Sequence, residues 1–349
     1  MLLAFDTSGR QNWGARGAHV ATYRLLSGQN EAVERLEGHY QNRAVPIDFT
    51  LPDAIASGLW RRQDRYWAAG TYAKLERWLG ARADFIDPRP EVSLRNILRH
   101  LDNDYIRGLY DAVRSHDKIV VDGDGDMIFK EEPRRTLLTD LAVIELADHL
   151  DKEIYYVNSI LADGSVTDRN ERLADRCLKT LKKCDGVSFR DPASLDLAQR
   201  MDEGLSAEWI PDSMFYWYDK LADSRRQLPE SGDFVIPYTR EAQADYGELD
   251  FTTPYICLTG GSRAALSPED AFDGYCQLVE QLCRLEHPVY LVPTCAGDTR
   301  FLPDVAQETG TPIIPAEVPI LMGGAILANA HLFVTGRYHP SIMAAAGGT

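Results

Sequence analysis

Two stretches of this chain alternate short apolar runs with amphipathic segments, and that rhythm constrains the fold more than any other feature. A helical pattern over 104–115 precedes the run Lys118-Ile119-Val120-Val121. Further patterns over 134–150, 169–182 and 192–202 precede runs at 153–157, 186–189 and 208–210. Short Val- and Ile-rich runs separated by helices indicate a parallel sheet with crossover helices. Residues 219–250 break the rhythm. They are polar, carry Pro229 and Pro237, include Ser231-Gly232-Asp233, and read as a linker with a short strand at 233–236. The alternation restarts at 255–259. Ser267-Pro268-Glu269-Asp270 then predicts a helix start, and strands follow at 288–292, 312–314 and 331–335.

The expected fold is α/β, with two Rossmann-like parallel-sheet domains facing one cleft. Residues 1–218 form the first domain, 219–250 the linker and 251–349 the second domain. A four-stranded second sheet with no closing helix reads as truncated. Near the start, 2–5 is a strand, 9–17 a Gly-rich loop and 18–26 a helix. Residues 28–100, with Trp60, Trp67 and Trp78, resist strand placement, although 64–79 has helical periodicity. Val187, Phe189, Ile256, Leu258, Val289 and Leu291 fall on central strands and are expected to be buried.

Acidic residues outnumber basic ones 53 to 37, a formal charge of −16, which disfavours a duplex-binding surface. The start has no basic region and its apolar run ends at Asp6, so it does not read as a signal peptide. No run is apolar and long enough to predict a membrane span. The six cysteines form no C-x-x-C pair and mostly lie in predicted helices or strands, so reduced thiols and a cytoplasmic location are expected. The histidines show no metal-ligand spacing, and neither a G-x-S-x-G elbow nor a Walker loop is present.

Ligands of open α/β sheets bind beyond the carboxyl ends of the strands, which selects five loops. In Thr335-Gly336-Arg337-Tyr338-His339-Pro340-Ser341, Pro340 suits the first helical position, so His339 is the expected cap. A guanidinium and an imidazole thus stand at an anion-attracting helix start. The alternative is a plain turn, with Arg337 in a surface ion pair. Gly260-Gly261-Ser262-Arg263 lets backbone approach a ligand and supplies a fork for carboxylate or phosphate. Asp122-Gly123-Asp124-Gly125-Asp126 lacks the closing Glu of an EF-hand, and reads as a ligand-facing turn rather than a metal site. Arg190 ends a strand, and points into the cleft or pairs with Asp191 or Asp196. Asn12-Trp13-Gly14-Ala15-Arg16-Gly17 lacks dinucleotide-loop spacing.

The ordered series Val120-Val121-Asp122-Gly123-Asp124-Gly125, Gly186 through Ser194, Ile210-Pro211-Asp212-Ser213, Pro293-Thr294 with Asp298, and Gly336-Arg337-Tyr338-His339 into Met343–Gly347 resembles the polysaccharide pyruvyl transferase family. Asn12-Trp13-Gly14 also fits that family's N-terminal loop. The resemblance implies two halves like those of the GT-B glycosyltransferases. It implies phosphoenolpyruvate as co-substrate with no cofactor or metal, a sugar or polysaccharide precursor as acceptor, and a pyruvyl ketal as product. Under it His339 is the candidate acid, Arg337, Arg263, Arg190, Gly260 and Gly261 face the donor, and Asp298 or Asp126 is the candidate base. Asn12, Gly14, Gly123, Asp124, Gly125 and Asp126 are expected on the acceptor side or lining the cleft. A glycosyltransferase using a nucleotide sugar and a non-catalytic sugar or anion binder remain as alternatives.

Overall fold

The structure is a computed structural model, and it describes residues 1–9, 11–29, 32–42, 45, 84–164, 168–222, 228 and 249–349. In chain order the first elements are β1 (Leu2–Asp6), α1 (Trp13–Ser27), β2 (Glu34–Glu37), α2 (His39–Asn42), α3 (Pro90–Arg99), α4 (Asp104–Arg114) and β3 (Lys118–Asp122). Next come β4 (Ile128–Phe129), α5 (Arg135–His149), β5 (Glu153–Ser159), β6 (Ala162–Asp163), α6 (Glu171–Leu181), β7 (Gly186–Phe189), α7 (Pro192–Met201) and β8 (Glu208–Trp209). A 3₁₀ turn (Ser213–Trp217) and α8 (Tyr218–Ala222) follow. The rest comprises β9 (Ile256–Gly261), α9 (Ser262–Leu266), α10 (Pro268–Cys283), β10 (Val289–Val292), a 3₁₀ turn (Asp298–Arg300), α11 (Leu302–Thr309), α12 (Ile320–Ala328), β11 (Leu332–Gly336) and α13 (Tyr338–Ala346).

These elements form two parallel-sheet α/β units. The first holds Met1–Asp6 and Ala32–Ile210. Its sheet runs β2-β1-β3-β5-β7-β8, with every pairing parallel. Three of its described helices start where short polar side chains cap them. Asn103 accepts from the Tyr105 and Ile106 amides, Asn170 from Leu173, and Asp191 from Ser194. Helix α4 then buries Ile106, Leu109 and Val113, one stripe at helical spacing. Helix α5 is buried continuously from Leu137 to Ala147, as a helix enclosed on all sides must be.

The second unit holds Thr7–Glu31 and Pro211–Thr349. Its sheet is β10-β9-β11, again parallel. Strand β9 lies in the centre and is buried from Ile256 to Gly260. All six residues expected on central strands are buried, none above 4% exposure.

Several expectations are corrected. Residues 7–31 belong with the second unit rather than the first, and α1 starts at Trp13, not Ala18. The start is set locally and the membership by a distant contact. Asn12 caps the helix through Ala15 N at 3.2 Å, and the Trp13 ring is fully buried with its Nε1 donating to Ala316 O at 2.8 Å. The expected strand at 312–314 is reduced to one bridge, Leu291 with Ile313. Ser262 opens an unforeseen short helix, α9. Most of the expected linker, its strand at 233–236 and the periodic stretch 64–79 lie outside the described residues. All six cysteines are free thiols.

Candidate functional site

In the second unit the chain leaves β9 to β10 on one side and returns through β11 on the other. The carboxyl ends of β9 and β11 therefore flank a topological switch point, where α/β sheets place ligands. Two hydroxyls tie these ends together. Thr259 Oγ1 lies 2.6 Å from Thr335 Oγ1, and Thr335 Oγ1 accepts from Arg337 N at 2.9 Å.

Arg337 extends from this junction. Its Nη2 donates to Asp298 Oδ1 at 2.6 Å, and its Nη1 to Ser262 Oγ at 3.2 Å. Among the described residues its buried Nε has no hydrogen-bond partner. Asp298 is fully buried, and its Oδ2 accepts from Thr294 N at 3.0 Å and Thr294 Oγ1 at 3.1 Å. The ion pair is thus mostly out of water, not the surface pair that a plain turn implies. Gly260 is obligatory here, because a Cβ on it would fall 2.0 Å from Asp298 Oδ1. Arg263, one residue past Ser262, is exposed.

His339 occupies the second position of α13 rather than its cap. Arg337 takes the cap position with extended backbone, so Pro340 falls third. The imidazole is largely buried, with Nε2 3.2 Å from Oδ2 of the enclosed Asp212. Asp212 Oδ1 accepts from Met214 N at 2.8 Å. On its other side the ring lies against the first turn of α1. A Cβ at Gly14 would sit 2.2 Å from His339 Nδ1 and 2.6 Å from Cγ, so only glycine fits. Asn12 and Gly14, expected on the acceptor side, accordingly lie in the same unit as Arg337 and His339.

Sequence reasoning gave no role to Asp212, Ser262, Tyr275 or Cys295. A Cβ on Gly261 would lie 3.7 Å from Tyr275 Oη, and one on Gly297 would lie 3.5 Å from both Cys295 Sγ and Arg337 Nη2. Burial pushes the Tyr275 phenol and the Cys295 thiol up; Asp298 adds to both shifts and Arg337 opposes them. These two residues sit mid-helix and in a loop, with no spacing to mark them. Asp212 stood within a recognised motif and could have been taken as a partner for a histidine.

The other expected residues lie in the first unit. Arg190 pairs with Asp124 at 2.7 Å. Asp124 takes a left-handed backbone, φ 41°. Gly123 and Gly125 flank it, and Arg134 donates to Gly125 O at 2.7 Å and to Asp126 Oδ1 at 3.0 Å. Asp126 is raised above the usual carboxylate range, chiefly by burial and then by Asp124, with Arg134 pulling it back. No group of three or more His, Cys, Asp or Glu side chains among the described residues is arranged to hold a metal, and no described helix is long and apolar enough to cross a membrane.

The fold and site define a two-unit parallel α/β protein with a guanidinium and an imidazole two residues apart at a switch point, each held by a buried carboxylate. Residues 32–349 match the polysaccharide pyruvyl transferase family, and the chain belongs to that family. No curated protein matches it. Among solved structures it is similar to the UDP-GlcNAc 2-epimerase from Methanocaldococcus jannaschii, with 14% identity and a TM-score of 0.44. That similarity covers 73% of this chain, and this chain spans 64% of the epimerase.

Proposed function

We propose that this protein transfers a pyruvyl group from phosphoenolpyruvate to a sugar of a cell-surface polysaccharide or its precursor, forming a ketal and releasing phosphate. The observation that carries this reading is the placement of Arg337 and His339, on Asp298 and Asp212 respectively, at the end of β11. The family supports the reaction class.

The donor carries a carboxylate and a phosphate. Arg337 meets one of them with its fork, oriented by Asp298 and Ser262. Because Asp298 offsets much of that charge, the rest of the anion falls to exposed Arg263 and the amide groups of the first turn of α13. Asp298 is then a positioning residue, since its oxygens are already engaged by Arg337 and Thr294. This replaces the expectation that it is a base.

His339 is the proposed acid. It gives a proton to the methylene carbon of the donor, which leaves an oxocarbenium-like centre at C2. One sugar hydroxyl adds to C2, and its proton restores the histidine. A second hydroxyl of the same sugar displaces phosphate from C2, and its proton leaves with the phosphate. The enol carbon becomes a methyl group, and no oxidant or reductant is consumed. Asp212, 3.2 Å from Nε2, orients the ring.

The test is incubation with phosphoenolpyruvate and a panel of hexopyranosides bearing free diols, followed by mass spectrometry. The reading requires a pyruvyl adduct with equimolar phosphate. Nucleotide release from a nucleotide sugar, with no adduct from phosphoenolpyruvate, would replace it with glycosyl transfer.

A further inference from the structure

We infer that Tyr275 is a further donor-binding residue of the second unit: its phenol donates a hydrogen bond to an anionic oxygen of the donor where β9 and β11 end, beside Arg337. The identity of that donor as phosphoenolpyruvate rests on the function proposed above; the part played by Tyr275 is tested separately from it.

Two glycines open the place. Gly336 pairs with Gly261 in the strand register, and a Cβ on Gly336 would fall 2.9 Å from Gly261 Cα. A Cβ on Gly261 would lie 3.6 Å from Gly336 Cα and 3.7 Å from Tyr275 Oη. The phenol oxygen thus borders the space that a side chain at 261 would fill. The next residue, Ser262, accepts from Arg337 Nη1 at 3.2 Å, so phenol and guanidinium meet at one turn. Tyr275 reaches this turn from the middle of α10. Its ring stands edge-on to the buried Phe301, with centroids 5.0 Å apart and planes at 78°. That packing fixes the ring and so the place of its hydroxyl.

The electrostatics suit an anion. Arg337 commits one hydrogen of Nη1 to Ser262 and one of Nη2 to Asp298, and each nitrogen carries a second. Asp298 offsets much of the guanidinium charge, so an anion gains from an uncharged donor set beside the fork. Burial raises the phenol pKa, Asp298 adds to the shift and Arg337 opposes it, which places Tyr275 within reach of both charges. The phenol therefore stays protonated at neutral pH and donates, whereas a phenolate would repel the donor. If Tyr275 served packing alone, the ring on Phe301 would suffice and the hydroxyl would be dispensable.

The experiment compares the parent with Tyr275→Phe, which keeps the ring and removes only the hydroxyl. Calorimetric titration of phosphoenolpyruvate should show affinity weakened about 10- to 100-fold, with Tm unchanged. Donor KM should rise by more than kcat falls. In protein labelled with ¹³C at tyrosine Cζ, the signal missing from Tyr275→Phe should shift in the parent as the donor is added. Inorganic phosphate and pyruvate, titrated separately, assign the contact to the phosphate or the carboxylate by which of them moves that signal. Equal donor affinity in folded Tyr275→Phe, or a Tyr275 signal that stays in place while the donor binds, overturns the inference and leaves the proposed function standing. A parent protein that binds no phosphoenolpyruvate overturns both.

Discussion

His339 Nε2 lies 3.2 Å from Oδ2 of Asp212, a carboxylate with no exposed side-chain surface, and the opposite edge of the ring rests on Gly14. The imidazole is therefore held between an acid and a helix backbone. Under the proposed chemistry His339→Gln lowers kcat by about 10²–10⁴-fold with little change in donor KM. Asp212→Asn lowers kcat in the same direction. The double variant is no slower than His339→Gln alone, because the two side chains act as one unit. Steady-state kinetics of the three variants checks this; additive losses would separate the residues.

Asp298 and Arg337 form the second coupled pair. Asp298→Ala leaves a largely buried guanidinium without its carboxylate, and should cost about 3–5 kcal/mol in chemical denaturation. Arg337→Lys should not restore donor affinity, since one ammonium cannot serve Asp298 and Ser262 along two fixed directions. A stable Asp298→Ala protein with normal donor affinity would show that Arg337 does not depend on it.

Two glycines test the close contacts. Gly14→Ala pushes on His339 and Gly260→Ala on Asp298, each at an expected cost of about 1–3 kcal/mol. The first should act mainly on kcat and the second mainly on donor KM. Gly274 has nothing within 4 Å of an added Cβ, so Gly274→Ala should leave both constants unchanged and raise Tm slightly. Equal effects at all three positions would show that the contacts do not matter.

Asp126 gives a pH test. Folding raises its pKa, so the native state binds this proton more readily than the unfolded chain. Its contribution to stability is present in acid and is lost as pH rises through the raised value. Asp126→Asn removes that loss. The stability of the Asn variant relative to the parent should therefore grow as pH rises above the ordinary carboxylate range, read as the difference in Tm. A difference that shrinks with pH would mean that the ion pair with Arg134 outweighs burial.

The sheet strands were legible because buried parallel strands are written as short apolar runs. Val120, Val187 and Ile256 each announce one without reference to distant residues. The membership of α1 was not legible. The cap at Asn12 is local, but what draws the helix into the second unit is Trp13 Nε1 on Ala316 O and Trp217 Nε1 on Gly17 O, both contacts between residues far apart in sequence. The site divided in the same way. Arg337, His339 and the Gly260–Gly261 turn stand at strand ends and could be read from order alone. Their partners Asp298 and Asp212 lie 39 residues from Arg337 and 127 from His339, by 337 − 298 and 339 − 212, and only the fold joins them. The Arg190 pair with Asp124 is of the same kind, since 66 residues separate the two.

The central claim is that the second unit holds phosphoenolpyruvate at Arg337, and calorimetric titration of the donor into the parent protein and into Arg337→Ala tests it most directly. The account predicts saturable binding to the parent, weakened about 10- to 100-fold in a variant shown by its melting curve to be folded. Equal affinity in the two proteins, or no binding to the parent, would contradict it.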